Sequence, residues 1–137
     1  MSKHVTLSEY TRESIMNHVL DYYQKMYDLV HKCYQLNGYN DNINFNKKVY
    51  ELCLEQHELL LNDYWQVSYE NPASTIHNYK FEKYHIDNIK SVKCLSDNHK
   101  KFSVFLSYHV AGTNKTYETI LNLIIVDGHP KIIKQYY

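Results

Sequence analysis

The chain has 137 residues, of which 44% are hydrophobic, enough for one domain with a substantial core. Its 15 basic and 15 acidic side chains cancel and neither sign forms a long block, so we expect no nucleic-acid partner and no membrane attachment. Residues 1–4 do not resemble the start of a secretory signal, and no window contains the roughly 18 apolar residues that cross a bilayer. We therefore expect a single cytoplasmic domain over residues 1–137.

The first predicted helix begins near a capping-box pattern at residues 6–9 and ends at Asn37-Gly38. Between these signals, apolar side chains recur at alternating spacings of four and three residues: Ile15, Val19, Tyr22, Met26, Leu29, Cys33 and Leu36. This stripe favours packing on the protein's own sheet or second helix. The alternative is a coiled-coil or partner-binding seam.

A second helix is predicted over residues 44–62, and the short loop before it makes the two helices an antiparallel hairpin. Its predicted apolar side consists of Phe45, Val49, Leu52, Cys53, Gln56, Leu59 and Leu60. His57 lies close to this side, which indicates a hydrogen-bonded interface histidine rather than a ligand. Residues 63–69 are either a short strand or a continuation of the helix.

The remaining pattern is that of strands. Residues 75–95 are predicted to be extended, with a register break around residues 87–88, and residues 102–110 alternate apolar and polar side chains. Residues 117–126 are apolar on both sides, which predicts a central strand. Asp127-Gly128 then predicts a hairpin turn into residues 131–137. We expect an α+β fold, with N-terminal helices at about residues 7–62 packed on a curved antiparallel sheet of about four strands at about residues 75–137.

The three cysteines, Cys33, Cys53 and Cys94, are odd in number and lack CxxC spacing, so we expect reduced, buried thiols. The 15 tyrosines are typical of an exposed sheet face, an open pocket or a partner surface. The codon usage of an AT-rich genome explains that count equally well.

Catalytic and cofactor motifs are absent from the sequence: it has no Gly-rich phosphate loop, GxSxG, HExxH or zinc quartet. We therefore predict no catalytic residues, no metal and no cofactor. The remaining chemical candidates are Tyr84-His85 and Tyr108-His109 on putatively paired segments, where two histidines would form an acid/base pair or a metal site. Neighbouring strand residues point to opposite faces, so only one member of each pair faces any pocket.

The C-terminal strands resemble those of the NTF2-like superfamily, which includes SnoaL-like and ketosteroid-isomerase-like proteins. The resemblance is carried by residues 117–132, YETILNLIIVDGHPKI, where two long strands flank an Asp-Gly turn. His129-Pro130 stand where the family usually has an aromatic residue. The resemblance implies a cone-shaped sheet around the helices, self-association through the exposed sheet face, and a pocket with this candidate lining: Trp65, Tyr69, Tyr84, His85, Tyr108 and His109.

Three functions remain open on these observations. The favoured one is a non-enzymatic protein-interaction or ligand-binding module of NTF2-like type, working as a homodimer, such as a bacterial accessory, conjugation-related or toxin-immunity protein. The alternative is a small cofactor-independent enzyme or carrier with an aromatic pocket for an apolar metabolite. A closed, leucine-filled cone favours the module and an open cavity favours the enzyme. The third, a helical adaptor, requires the stripe of the first helix to be exposed.

Overall fold

The computed structural model describes residues 12–40, 46–66, 85–98, 100–109 and 114–136. Two helices, Arg12–Leu36 (α1) and Lys47–Tyr64 (α2), precede four strands: Ile89–Asn98 (β1), Lys101–His109 (β2), Thr116–Val126 (β3) and His129–Tyr136 (β4). The strands form one antiparallel sheet in the order β1-β2-β3-β4. The sheet is curved and unclosed, and the helices pack against it. The predicted α+β class with about four strands is confirmed.

Helix α1 lies on the sheet and forms most of the helical side of the core. It contacts β1, β2 and α2, and its buried side chains are Ile15, Val19, Tyr22, Tyr23, Met26, Val30 and Cys33. The predicted apolar stripe therefore belongs to the protein's own core as far as Cys33, whereas Leu36 at its end is 46% exposed. A helical adaptor that required the stripe to be exposed does not agree with this burial. The predicted start at residues 6–9 lies outside the described residues.

The end of α1 has the predicted cap. Gly38 adopts a φ of 70°, in the left-handed region that glycine enters without steric cost. The amide of Tyr39 donates to the carbonyl of Tyr34 at 3.0 Å, which closes the last turn. The chain then reverses toward α2.

Helix α2 begins after Asn46, whose side chain accepts a hydrogen bond from the amide of Val49 at 3.2 Å. It contacts α1 and β4, and its fully buried residues are Cys53, His57 and Leu61. The predicted interface position of His57 is confirmed. The predicted apolar side is wrong in part, because Leu52 and Leu59 are 45% and 54% exposed. The buried side centres on His57 instead.

The two helices are joined by a disulfide between Cys33 and Cys53, with their Cα atoms 6.1 Å apart. The expectation that these cysteines are reduced thiols is wrong. The antiparallel hairpin places two residues that are 20 apart in sequence on facing sides of the helices. Cys94 is a buried free thiol, and burial raises its pKa while the nearby Arg12 charge partly opposes that shift.

In the sheet, alternate side chains point toward the helices. On β2 these are Phe102, Val104 and Leu106, and they are all buried. β3 lies between β2 and β4, so its predicted central position is confirmed. The predicted hairpin turn is also confirmed, since Asp127 and Gly128 have φ values of 51° and 79°.

The residues just before position 67 and just after position 84 lie at different ends of the sheet. After α2, Trp65 forms a parallel bridge with Ile132 of β4, and the Gln66 amide donates to the Ile132 carbonyl at 2.8 Å. Residues 63–64 therefore continue the helix and Trp65 begins a bridge. At the other side, a 3₁₀ turn at Ile86–Asn88 coincides with the predicted register break. Residues 67–69 and 75–84, predicted partly as strand, lie outside the described residues.

Candidate interaction site

The aromatic residues predicted to line one pocket are spread over two ends of the sheet. Trp65 is buried beside Ile132 of β4, which pairs with Leu123, which in turn pairs with Phe102. Tyr108 lies at the far end of β2, about 20 Å from Phe102 along the strand. The structure does not bring Trp65 and Tyr108 together.

His85 lies at the same end of the sheet as Tyr108, because the following strand begins with Ile89, the partner of Tyr108. Its ring centroid is 4.8 Å from that of Tyr27 on α1. Its Nδ1 accepts from the amide of Asp87 at 3.2 Å, which fixes the ring at the start of the 3₁₀ turn. His85 is therefore in contact with both the Tyr27 ring and the backbone amide of Asp87.

Tyr108 forms a stacked pair with Tyr117 of β3, with ring centroids 6.0 Å apart. Burial raises the pKa of Tyr108, and Tyr117 adds to the shift. His109 follows Tyr108 on β2 and therefore points to the opposite face of the sheet, where its neighbour in register is Thr116. Tyr69 and Tyr84 lie outside the described residues, so the complete lining stays a prediction.

A polar cluster that was not predicted joins α1, α2 and β4. The hydroxyl of Tyr64 donates to the carboxylate of Asp21, and the His18 ring lies 5.0 Å from the Tyr64 ring. The Nζ of Lys131 donates to the carbonyls of Asn62 at 2.9 Å and Asp63 at 2.8 Å, which stabilises the C-terminus of α2. His18 and Asp21 are three residues apart on one helix, and this spacing was the signal available in the sequence.

The electrostatics of this cluster hold both titratable rings uncharged at neutral pH. Burial lowers the pKa of His18 below its usual 6.5, against the opposing effect of Asp21. Burial and the hydrogen bond to Asp21 raise the pKa of Tyr64 far above its usual 10. A general acid or base works best with a pKa near the operating pH. The cluster is therefore suited to joining the helices rather than to proton transfer.

The inner face of the sheet is filled near the end of β4 as well. The side-chain amide of Gln135 donates to Thr119 Oγ1 at 3.2 Å and to the Tyr23 hydroxyl at 3.4 Å. Thr119 Oγ1 donates in turn to the carbonyl of Tyr136 at 2.6 Å. Because Tyr23 belongs to α1, this network fastens the helix to the sheet.

The side of the sheet that faces away from the helices is named here the outer face. In register across its strands lie Lys93 of β1, Phe105 of β2, Ile120 of β3 and Tyr136 of β4. Phe105 and Ile120 are half-buried and Tyr136 is exposed. None of these three belongs to the buried core cluster or packs against it. Together they form an apolar row across three strands.

Further apolar and charged side chains surround this row. The next outer-face row contains Leu95 of β1, which is 46% exposed, and the hydrogen-bonded pair Ser103 and Asn122; Ile124 lies one row further along β3. By register, the charged outer-face positions among the described residues are four lysines and one glutamate: Lys93, Lys101, Lys131, Lys134 and Glu118. The Lys131 side chain is already bonded to the end of α2. The Nζ of Lys134 lies 4.8 Å from the centre of the Tyr136 ring, a cation–π contact. The outer face thus has an apolar centre and a predominantly basic rim.

Within the described ranges, no group of three or more His, Cys, Asp or Glu side chains is placed to hold a metal ion. Neither described helix is long and apolar enough to cross a bilayer. No protein-family model matches the chain, and neither the curated proteins nor the solved structures include a match to it.

Proposed function

We propose that this chain is a non-enzymatic protein-interaction module of NTF2-like type that binds a protein partner, a second copy of itself included, through the outer face of its sheet. The observation that carries the proposal is the apolar row of Phe105, Ile120 and Tyr136 outside the core cluster. An apolar centre within a polar rim is the usual anatomy of a protein–protein interface.

The inner face supports the same function. Phe102, Val104 and Leu106 of β2 and Leu121 and Leu123 of β3 are buried in one core cluster with α1, and the Tyr23–Gln135–Thr119 network closes one end. An inner face largely covered by the chain's own helix favours association through the opposite face over storage of a ligand within. Location in the cytoplasm stays a prediction.

Site-specific photo-crosslinking in the native host tests this proposal. A photoreactive amino acid at Tyr136 or Leu95 is expected to yield a discrete cross-linked product, which the added substitution Ile124→Asp removes. The matched control is Tyr39, a tyrosine just after the end of α1 that is 62% exposed and does not belong to the sheet. Equal cross-linking from position 39 and from the outer face, insensitive to Ile124→Asp, would count against the proposal.

The second candidate, a small cofactor-independent enzyme or carrier for an apolar metabolite, draws on one observation. The stacked Tyr108 and Tyr117 lie on the inner face at the end of the sheet near His85, and Tyr117 is 46% exposed. Native mass spectrometry of the purified protein and of Tyr108→Ala tests this candidate. A small molecule that co-purifies with the wild type and is lost in the variant would favour it.

A further inference from the structure

The outward side of α2 carries a pattern that the core does not use. Leu52, Glu55 and Leu59 recur at helical spacing, and all three are exposed. Glu51 and Glu58 flank this row and are exposed as well. The two leucines are separated by about 10 Å along the helix. Lys47 and Lys48 are exposed in the first turn of the same helix. The outward row therefore has two leucines, with three glutamates and two lysines in and beside it.

These two surfaces are complementary in charge. The outer face of the sheet has an apolar centre with mostly lysines around it, and the outward side of α2 has leucines with mostly glutamates around them. A face-to-face pair of two sheets would place lysines against lysines, which is unfavourable. The chain's formal net charge of zero therefore conceals two surfaces of opposite sign.

The dimensions of the two surfaces agree. A four-stranded sheet is about 15 Å wide, and a helix with its side chains is about 10–12 Å in diameter. One helix therefore fits over the centre of the outer face. One of its two leucines would lie over Phe105 and Ile120. The other, about 10 Å away, would reach toward Leu95 in the next row, whose middle positions are the hydrogen-bonded Ser103 and Asn122.

We infer that the outer face of the sheet binds the outward side of α2 from a second copy of this chain. The inference rests on the proposed function and specifies its partner. Helix α2 contacts α1 and β4, and its outward side and the outer face of the sheet are two different surfaces of the chain. The contact is therefore heterologous and repeats from copy to copy, giving a ring or an open chain of subunits.

A pair of charge-reversed full-length variants tests this contact. The sheet variant carries Lys93→Glu and Lys101→Glu, and the helix variant carries Glu51→Lys and Glu55→Lys. In sedimentation velocity at low salt, the wild type is expected to assemble beyond a dimer with rising concentration. Each variant alone is expected to associate about tenfold or more weakly, since its two surfaces then share one sign. An equimolar mixture is expected to recover assembly.

Two controls test whether a change in net charge or a loss of folding explains the results. Lys25→Glu with Lys32→Glu on exposed positions of α1 changes the net charge as the sheet variant does, and it is expected to assemble like the wild type. Urea unfolding of each variant confirms that all are folded.

The possible outcomes separate this inference from the proposed function. A wild type that stays monomeric, or a helix variant that assembles normally, overturns the α2 contact. If the helix variant dimerises normally while the sheet variant does not, the outer face still binds a partner and the proposed function stands. If a different protein is cross-linked at Tyr136 in the host, the proposed function likewise stands and the α2 contact does not. Loss of assembly in each variant alone, with recovery of assembly in the equimolar mixture, supports the inference.

Discussion

Both helices carry apolar residues at helical spacing, but they bury different shares of these residues. α1 faces β1, β2 and α2, and its apolar stripe is buried from Ile15 to Cys33. Among the described elements, α2 contacts mainly α1 and β4, and it buries a narrow line of residues at four-residue spacing, from Cys53 through His57 to Leu61. Leu52 and Leu59 beside that line are left exposed. A helix that packs on both the sheet and a second helix buries most of its apolar stripe, whereas a helix that packs mainly on one neighbour leaves apolar residues at the surface.

The ends of the helical hairpin are fastened by different chemistry. The Cys33–Cys53 disulfide joins the helices near the connection between them. At the opposite end, Tyr64 of α2 binds Asp21 of α1, and Lys131 binds the last carbonyls of α2. The position of α2 thus depends on these attachments more than that of α1 does. The predictions below test this contrast.

The largest effect is expected from truncating the stripe of α1. Ile15→Ala removes a fully buried side chain and is expected to lower the free energy of unfolding by about 3 kcal/mol. Leu59→Ala on α2 is the matched control and is expected to change it by less than about 0.5 kcal/mol. Urea unfolding followed by circular dichroism measures both. Equal losses would mean that the outward side of α2 is covered within the monomer.

Loss of the disulfide is expected to have a similar but smaller effect. Cys33→Ser opens a loop whose ends are 20 residues apart, and the entropy of a loop of that length corresponds to about 3 kcal/mol before any residual structure in the unfolded chain is considered. Unfolding with and without reductant measures this contribution. Cys94→Ala is the control, because this variant keeps the bond. Alkylation of all three cysteines in unreduced, denatured protein would contradict the bond.

Tyr64→Phe removes the attachment to Asp21 and is expected to cost about 1 kcal/mol at pH 7. The pKa of Tyr64 is raised in the folded state, so its contribution is fully present below about pH 10 and is lost as the pH rises through the folded value. Urea unfolding between pH 7 and pH 11 is expected to show a steeper alkaline loss for the wild type than for the variant. Tyr39→Phe controls for removal of an exposed hydroxyl. Parallel alkaline profiles of wild type and Tyr64→Phe would refute the proposed linkage.

The smallest effect is expected at His18, in acid. Burial lowers the pKa of His18 in the folded state. The stabilising contribution of the neutral ring is therefore present above the usual pKa of 6.5 and is lost as the pH falls through the folded pKa. Between pH 7 and pH 5, the free energy of unfolding of His18→Gln is expected to fall less than that of the wild type, each protein being compared with its own value at pH 7.5. The facing charged groups are Asp21 and Lys131. An unchanged acid slope in the variant would exclude His18 as its cause.

The candidate site was predicted only in part. The residues proposed for one pocket are divided by the fold: Trp65 packs beside β4, whereas His85 and Tyr108 lie at the other end of the sheet and His109 on its other face. Tyrosine and histidine counts could not separate these places. The path of α2 and the position of the segment before β1 decide them, and neither has a signature in a single sequence.

Local patterns by themselves determined the elements of this protein. The stripe of α1, the cap at Gly38, the alternation of β2 and the Asp127-Gly128 turn each depend on residues within a few positions of one another, because backbone geometry sets their periods. The tertiary structure alone decided the Cys33–Cys53 bond, the pairing of Tyr64 with Asp21, and the exposure of Leu52 and Leu59. These features depend on which surfaces meet across long sequence distances, and several faces of α2 were apolar enough to meet the core.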